Sequence, residues 1–537
     1  MGPTSFLRSR LDTKSPEYVQ NLAAMEALWA EVDQLMASVP SIGGQRYVDR
    51  HRQRGKLLVR ERVEAILDPG SPFLELSPLA AWGTTDPVGA GVVTGIGMVE
   101  GVLCGITGSD MTYKGGSANP STLTKTLRFY DIVRANRLPV IVLNEAAGAD
   151  LPRQADIFVP GGAQFRYLTE LSKAGIPSIT VGFGPATAGG AYIPGMSDYT
   201  VFVEGRAMTY LGGPPLVKMA IDEVVDEETL GGAEMHARVS GLADYLAVDE
   251  RDGLRRAREV INHLGWKRLG PGPARASQAP RYDPNELIGC ASADVRVPFD
   301  VREVLARLLD QSAFEEFKEL YGDKLVCGWG SVHGFDVGII ANNGILFSEE
   351  AAKGAQFIQL CNRSNTPIIF VHNITGFMVG SKAERGGIIR NGSKLINAVS
   401  NSEVPHLNLL VGASYGAGNY GMSGRAYDPR FAFSWPNHRI AVMGPKQLAG
   451  VMDIIARASA ERRGIEVTPE LEELLVAQTS QLEQQVEHES TALYATGRMW
   501  DDGIIHPNDS RTVLGIALAA VHSNTIAGAE SYGVWRH

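Results

Sequence analysis

Apolar and polar positions follow two spacings along this chain, and the order in which the spacings alternate is repeated. In residues 17–37, Leu22, Met25, Leu28, Val32 and Leu35 recur at three- and four-residue steps, which predicts an amphipathic helix. Val59–Leu67 predicts another, stopped by Asp68-Pro-Gly-Ser-Pro72. From Gly91 the pattern shortens to strands, 92–100 and 102–107, on either side of a Glu100-Gly101 hairpin turn. Helix 121–136, strand 139–143, helix 160–173 and strand 178–183 follow, a rhythm that predicts a layered α/β fold. The proline- and glycine-rich stretch 269–285 reads as a linker. Beyond it the grammar returns: helix 301–309, strands 326–332 and 337–341, helix 349–364, strand 367–371, helix 386–402 and strand 407–411. A polar, Glu/Gln-rich helix at 471–494 reads as a surface or subunit-packing element.

The repetition has a fixed spacing. Asn408-Leu-Leu-Val-Gly-Ala-Ser-Tyr-Gly-Ala-Gly-Asn-Tyr-Gly-Met422 runs from a strand into small residues, and so does Ser178-Ile-Thr-Val-Gly-Phe-Gly-Pro-Ala-Thr-Ala-Gly-Gly-Ala-Tyr192. Gly190 aligns with Gly418 at an offset of 228 (418 − 190 = 228). Pro177 and Pro405, and Pro139 and Pro367, keep the same offset. The chain is therefore expected to be an internal duplication, with an N-terminal domain at 1–275 and a C-terminal domain at 281–537.

Size and charge narrow the class. A chain of 537 residues with 44% hydrophobic and 20% charged content fits a soluble globular protein of two to three domains. A formal charge of −10 argues against nucleic-acid binding. Cys104, Cys290, Cys327 and Cys361 are scattered without a CxxC pair, so free thiols are expected rather than disulfides or a metal ribbon. No long apolar run predicts a membrane span or a secretory leader, and a cytoplasmic location is expected. The basic stretch Arg46–Lys56 reads first as a solvated helix face and second as a contact to phosphates or to a partner subunit.

The sequence holds no GxxxxGK[ST] loop, GxSxG elbow or HExxH pair. Lys218 half resembles a biotin-attachment lysine but lacks the preceding Met, and His236, His372 and His438 read as structural. What remains is backbone chemistry. Paired peptide N–H groups at the start of a helix can hold a developing oxyanion, and the residues presenting them must be small. Ala188-Gly-Gly-Ala191 and Gly416-Ala-Gly418 meet that need. Small residues also serve close helix–strand packing, and it is the presence of two equivalent copies that favours the functional reading.

These stretches carry a resemblance. Arg54-Gly-Lys-Leu57, Asp68-Pro-Gly-Ser-Pro-Phe-Leu-Glu-Leu76, Lys114-Gly-Gly116, Leu151-Pro-Arg-Gln154, Ala188-Gly-Gly-Ala-Tyr192, Leu211-Gly-Gly-Pro-Pro-Leu-Val-Lys218, Asn373-Ile-Thr-Gly-Phe-Met-Val-Gly380, Tyr415-Gly-Ala-Gly-Asn-Tyr-Gly-Met422 and Trp500-Asp-Asp-Gly-Ile504 span nearly the whole chain. It resembles the carboxyltransferase (β) subunits of biotin-dependent acyl-CoA carboxylases, the methylcrotonyl-CoA branch in particular. The resemblance implies two tandem crotonase-like domains of ββα-superhelix build. It also implies a homo-hexamer in which the N-terminal domain of one subunit faces the C-terminal domain of another, and a partner α subunit with biotin carboxylase and biotin carrier functions. Acyl-CoA would lie on the first half and carboxybiotin on the second. By the same resemblance, Gly189 and Gly190 would hold the thioester oxygen, and Ala417 and Gly418 the ureido oxygen of biotin. Lys114, Gly115, Gly116 and Ser117 with Ala147, Gly148 and Ala149 would line the CoA channel, and Thr375, Gly376 and Phe377 the biotin pocket. The biotin nitrogen would take the substrate proton, so neither a side-chain base nor a metal is implied.

Ala146-Ala-Gly-Ala-Asp150 departs from the Ser-Gly-Gly-Ala-Asn usual in the methylcrotonyl branch and puts the acyl substrate in question; another branched, unsaturated or longer acyl-CoA is an alternative. Three further readings stay open: a crotonase-type hydratase or isomerase using Glu145 and Asp150, a decarboxylase subunit of a sodium pump, and an inactive scaffold subunit.

Overall fold

The structure, a computed structural model, describes residues 5–536. Its first sheet contains β1 (Phe73–Glu75), β2 (Val92–Val99), β3 (Val102–Ser109), β4 (Val140–Ala146), β5 (Ser178–Thr187), β6 (Tyr199–Val203), β7 (Met208–Tyr210) and β8 (Tyr245–Ala247). The order is β1-β2-β3-β4-β5-β6-β8, with β7 paired to the far end of β5. The second sheet contains β9 (Glu315–Phe317), β10 (Leu325–Val332), β11 (Phe335–Asn342), β12 (Ile368–Ile374), β13 (His406–Tyr415), β14 (Phe431–Ser434) and β15 (Arg439–Ala441). Its order is β14-β13-β12-β11-β10-β9, with β15 on β13. Apart from β8 the two sheets have one topology: an antiparallel hairpin feeding parallel strands through helical crossovers. These are the two tandem crotonase-like units that the resemblance implied.

The duplication reaches individual backbone pairs. Ile141 pairs Ile179 in the first sheet, and Ile369 pairs Leu407 in the second. Each pairing then slips at a bulge, between Asn144 and Ala146 and between His372 and Ile374, at the same 228-residue offset. The hairpins turn alike, on Glu100-Gly101 (φ 50° and 72°) and on His333-Gly334 (φ 50° and 80°), the left-handed pair that a two-residue turn requires.

Each unit has its own core on one face of its sheet. Ile106, Ile141, Val181 and Val201 build the first, and Ile340, Phe370, Ile358 and Leu395 the second. A third apolar cluster spans both units, from Phe129 and Leu168 to Val337 and Leu407. Burial on this scale, at roughly 25 cal/mol per Å² of apolar surface, is what holds the halves together. A polar tie reinforces it: Asp502, fully buried, accepts from Arg128 of the first half at 2.9 Å and from Arg425 at 3.0 Å.

Helix bounds depart from the sequence expectation in three places. The helix expected at 160–173 begins at Gln154 and carries Pro160 inside it. Proline is at home in a helix's first turn, where its missing N–H is harmless; here Pro160 is carried in the second turn. The polar C-terminal helix ends at Glu489 and packs against Pro445–Arg462, a helix that the sequence reading missed. The 386–402 helix begins at Ile388, after a short turn of helix at Ser381–Arg385. Among the described residues no helix is long and apolar enough to cross a membrane, and the four cysteines are buried and free.

Candidate active site

The parallel strands of each unit end at the same side, and there three loops converge. In the first half they are 110–118, 146–150 and 187–190. Ala147 N donates to Gly115 O (3.0 Å), Ala118 N to Gly148 O (2.8 Å) and Asp150 N to Ala118 O (2.9 Å), stitching the first two loops. Gly148 faces the third: a Cβ on it would lie 3.5 Å from Thr187 O. In the second half Leu346 N donates to Gly376 O (3.2 Å) and Met378 N to Leu346 O (2.8 Å). These are the bonds of Ala118 and Asp150 carried forward by 228 residues.

Beyond each loop pair a short helix opens on the small residues, Gly189–Gly195 in the first half and Gly416–Gly421 in the second. Opening residues of a helix have no intrahelical acceptor for their N–H groups. Among the described residues Gly189, Gly190, Ala417 and Gly418 find none elsewhere. The turn that aims these groups is left-handed at equivalent positions, Ala188 (φ 52°) and Gly416 (φ 56°). Space is guarded as well. A Cβ on Gly418 would lie 2.6 Å from Ile374 Cγ1 and 3.3 Å from Gly376 Cα, and one on Gly189 would lie 3.2 Å from Phe165 Cζ. Two preorganised N–H pairs, each beneath a glycine-lined gap, can hold two carbonyl-type oxygens that gain negative charge; losing one such donor typically costs ~10²–10³ in rate.

Lys114, Gly115 and Gly116 all take positive φ in a loop five residues longer than its counterpart, nine steps from Ser109 to Ala118 against four from Asn342 to Leu346. This breaks the constant offset, and a comparison at fixed spacing does not see it. Lys114 bonds Asp150 at 2.9 Å, which raises its pKa. Ser117 closes the same turn, its N–H reaching Lys114 O at 3.4 Å. Ala147 and Ala149 sit on the 146–150 loop, with Ala149 bridged to Ala118. On the other side Thr375 is exposed and Gly376 takes φ 133°. The Phe377 ring is turned away, packed on the second core against Gly392 and Gly421, so only its backbone faces the loop pair.

The two carboxylates on which a hydratase would depend are committed elsewhere. Glu145, 2% exposed, is paired with Lys56 and lies 3.0 Å from Arg62, which in turn holds Glu250 through two bonds of 3.0 Å. Gly184 makes room for this pair, since a Cβ there would collide with the Glu145 carboxylate. Asp150 is engaged by Lys114. All three histidines read as structural make internal bonds, His236 to Thr209 O (2.7 Å), His438 to Gly412 O (2.8 Å) and His372 to Ser414 Oγ (3.0 Å). Of the basic stretch, Arg46, Arg50 and Arg54 are exposed. Sequence reasoning missed Phe165, whose ring stands edge-on to Tyr192 with centroids 6.1 Å apart. Its only sequence signal was an aromatic residue on a helix.

Comparison with known proteins identifies the family. The carboxyl transferase domain family matches residues 50–531. A Mycobacterium tuberculosis protein named a probable biotin-dependent acyl-coenzyme A carboxylase beta2 subunit is 54% identical over 99% of this chain and the whole of its own length. A probable mitochondrial methylcrotonoyl-CoA carboxylase beta chain of Drosophila melanogaster is 44% identical over 100% of this chain and 96% of its own. The crystal structure of the P. aeruginosa geranyl-CoA carboxylase beta subunit superposes with a TM-score of 0.89 at 44% identity, covering 99% of this chain and 100% of that one.

Proposed function

The chain belongs to the carboxyl transferase family as the carboxyltransferase (beta) subunit of a biotin-dependent acyl-CoA carboxylase, and from that premise we propose how its two halves divide the reaction. Gly189 and Gly190 hold the thioester oxygen of an acyl-CoA as its α-carbon loses a proton and the oxygen takes up enolate charge. Lys114–Ser117 and Ala147–Ala149 frame the channel for the CoA moiety. Ala417 and Gly418 hold the ureido oxygen of biotin, and Thr375, Gly376 and the Phe377 backbone form the opposite wall. Bound carboxybiotin, carried by an α subunit, supplies the CO₂ and a ring nitrogen that accepts the proton. This chain contributes orientation and charge stabilisation at both oxygens, and no side chain needs to act as base.

The observation that carries this reading is the pair of matched cradles: unpaired N–H groups at equivalent strand ends, each walled by glycine. The committed state of Glu145 and Asp150 weighs against hydration or isomerisation. For the acyl group we favour a branched or longer unsaturated chain, methylcrotonyl-CoA-like, because relatives of both the methylcrotonyl and geranyl kinds resemble this chain equally.

Both cradle mouths are rimmed by exposed apolar side chains at matched positions, Leu151 and Val379, Tyr192 and Tyr420. Exposed apolar side chains repeated at both cradle mouths suit an interface. It fits a second copy docking with its first half against the second half of its neighbour, and a homo-hexamer closes that arrangement in the cytoplasm.

The test is an acyl-CoA panel. Carboxyl transfer from a carboxylated biotin carrier is compared across acetyl-, propionyl-, methylcrotonyl- and longer enoyl-CoA thioesters. Transfer to one of the branched or longer substrates is expected; preference for acetyl- or propionyl-CoA overturns the acyl assignment, and no transfer with an active carrier overturns the reaction.

A further inference from the structure

Beneath the second cradle lies a buried hydrogen-bonded tie that the equivalent positions of the first half do not make. His372, at the end of β12, places Nδ1 3.0 Å from Ser414 Oγ, at the end of β13. Asn419, inside the cradle helix, donates through Nδ2 to the same Oγ at 2.8 Å. His372 and Ser414 are fully buried and Asn419 is 8% exposed. The hydroxyl accepts from the amide and shares a second hydrogen bond with Nδ1 of the imidazole. Burial keeps His372 neutral, its pKa pushed down to about 3.

The duplication supplies the control. At the same offset the first half has Asn144, Ala186 and Ala191 (372 − 228, 414 − 228, 419 − 228). Ala186 and Ala191 have no polar side-chain atom, and the Asn144 amide nitrogen has no partner. Two units with one topology and one register thus differ in this polar tie directly under the N–H pair.

Its position explains what it does. Ser414 and Asn419 bracket residues 415–418, so their bond closes a ring around Ala417 and Gly418 and fixes the direction of both N–H groups. His372 extends the tie to the strand that runs into Thr375-Gly376-Phe377, the facing wall, whose Gly376 is opposite Gly418.

We propose that His372, Ser414 and Asn419 are positioning residues that hold the second cradle preformed for a small ligand, the ureido ring of biotin. This rests on the division of the two halves given above. A large substrate can use remote binding energy to organise the groups around its reacting atoms, as the CoA moiety can in the first half. A compact ring offers few remote contacts, and its cradle must be rigid beforehand. The polar tie supplies that rigidity where it is needed.

The experiment imports the first half's own residues: His372→Asn, Ser414→Ala and Asn419→Ala, singly and together, in the full chain. Three quantities are read. They are kcat/KM for free d-biotin as carboxyl acceptor in the reverse direction, Kd for coenzyme A by calorimetry, and Tm. The expected result is a fall of about tenfold or more on the biotin side, with the coenzyme A Kd unchanged within about twofold and Tm within a few degrees. The single Asn419→Ala variant keeps the test open should the triple variant fold poorly. An unchanged biotin side in well-folded variants, or an equal loss on both sides that tracks a drop in Tm, overturns the positioning role. A shift in coenzyme A affinity with an unchanged biotin side would instead overturn the division of halves on which the inference rests.

Discussion

Ala188 and Gly416 stand 228 residues apart at one position of the duplicated fold, and both hold the backbone left-handed, at φ 52° and 56°. The turn points the next N–H groups into the cradle, so geometry is shared where the residue is not. Only glycine adopts this conformation without cost, and an alanine there stores ~1–3 kcal/mol. Ala188→Gly is therefore expected to stabilise the protein by about 1 kcal/mol in chemical denaturation, with kcat/KM little changed. Gly416→Ala should do the reverse and more, because its Cβ would come within 2.9 Å of Val442 O. Equal effects of the two substitutions would refute the strain at Ala188.

Phe165 is the side chain that limits room beside Gly189. Phe165→Ala should open the acyl side and move preference toward longer acyl chains. A methylene in an apolar pocket is worth ~1–3 kcal/mol, so the ratio of kcat/KM between a ten-carbon and a five-carbon enoyl-CoA should change by about tenfold or more. An unchanged ratio would place the acyl chain elsewhere.

Much of this was legible in the sequence because the site is made of backbone. A cradle of N–H groups can be built only from small residues, and small residues in a repeated order leave a visible mark at Ala188–Ala191 and Gly416–Gly418. Prolines 139, 177, 367 and 405, placed just before the strands that carry the cradles, made the offset measurable. Phe165 was not legible, since nothing in helical spacing tells a core aromatic from one facing a ligand. The five extra residues around Lys114 were hidden because an insertion destroys the constant offset that revealed the rest. The charge cluster under the first cradle was hidden for a different reason: Arg62 and Glu250 meet across 188 positions of chain.

That cluster yields a prediction that separates structure from chemistry. Glu145 lies next to the Ala146 loop, yet its carboxylate is spent on Lys56 and Arg62. Glu145→Gln leaves buried cations short of a partner, which typically costs ~3–5 kcal/mol. Denaturation should show a loss of that order, while the transfer rate per folded molecule stays within about threefold. A loss of rate by several orders of magnitude without loss of stability would make Glu145 a base and revive the hydratase-like reading.

Asp501 and Asp502 titrate in opposite directions. Burial raises Asp501 to about 6 despite the hydroxyl of Ser434 at 2.5 Å. Asp502 is buried too, but Arg128 and Arg425 bring it down to about 2. The sign of each follows from linkage. Asp502 stabilises the fold above the ordinary carboxyl range and ceases to do so only as pH falls toward 2. Native Asp501 binds its proton more tightly than the unfolded chain does. Its contribution is complete below about pH 4 and is lost as pH rises through about 6. Asp501→Asn holds that position neutral at every pH. The variant should flatten the decline in Tm between pH 4 and 6 and gain stability over the parent chain at pH 7, while at pH 4 the two should nearly coincide. Parallel Tm curves across the whole range would show that the proton resides on another group, and the tie between Arg128 and Asp502 would then be the only carboxylate in this motif whose charge the fold controls.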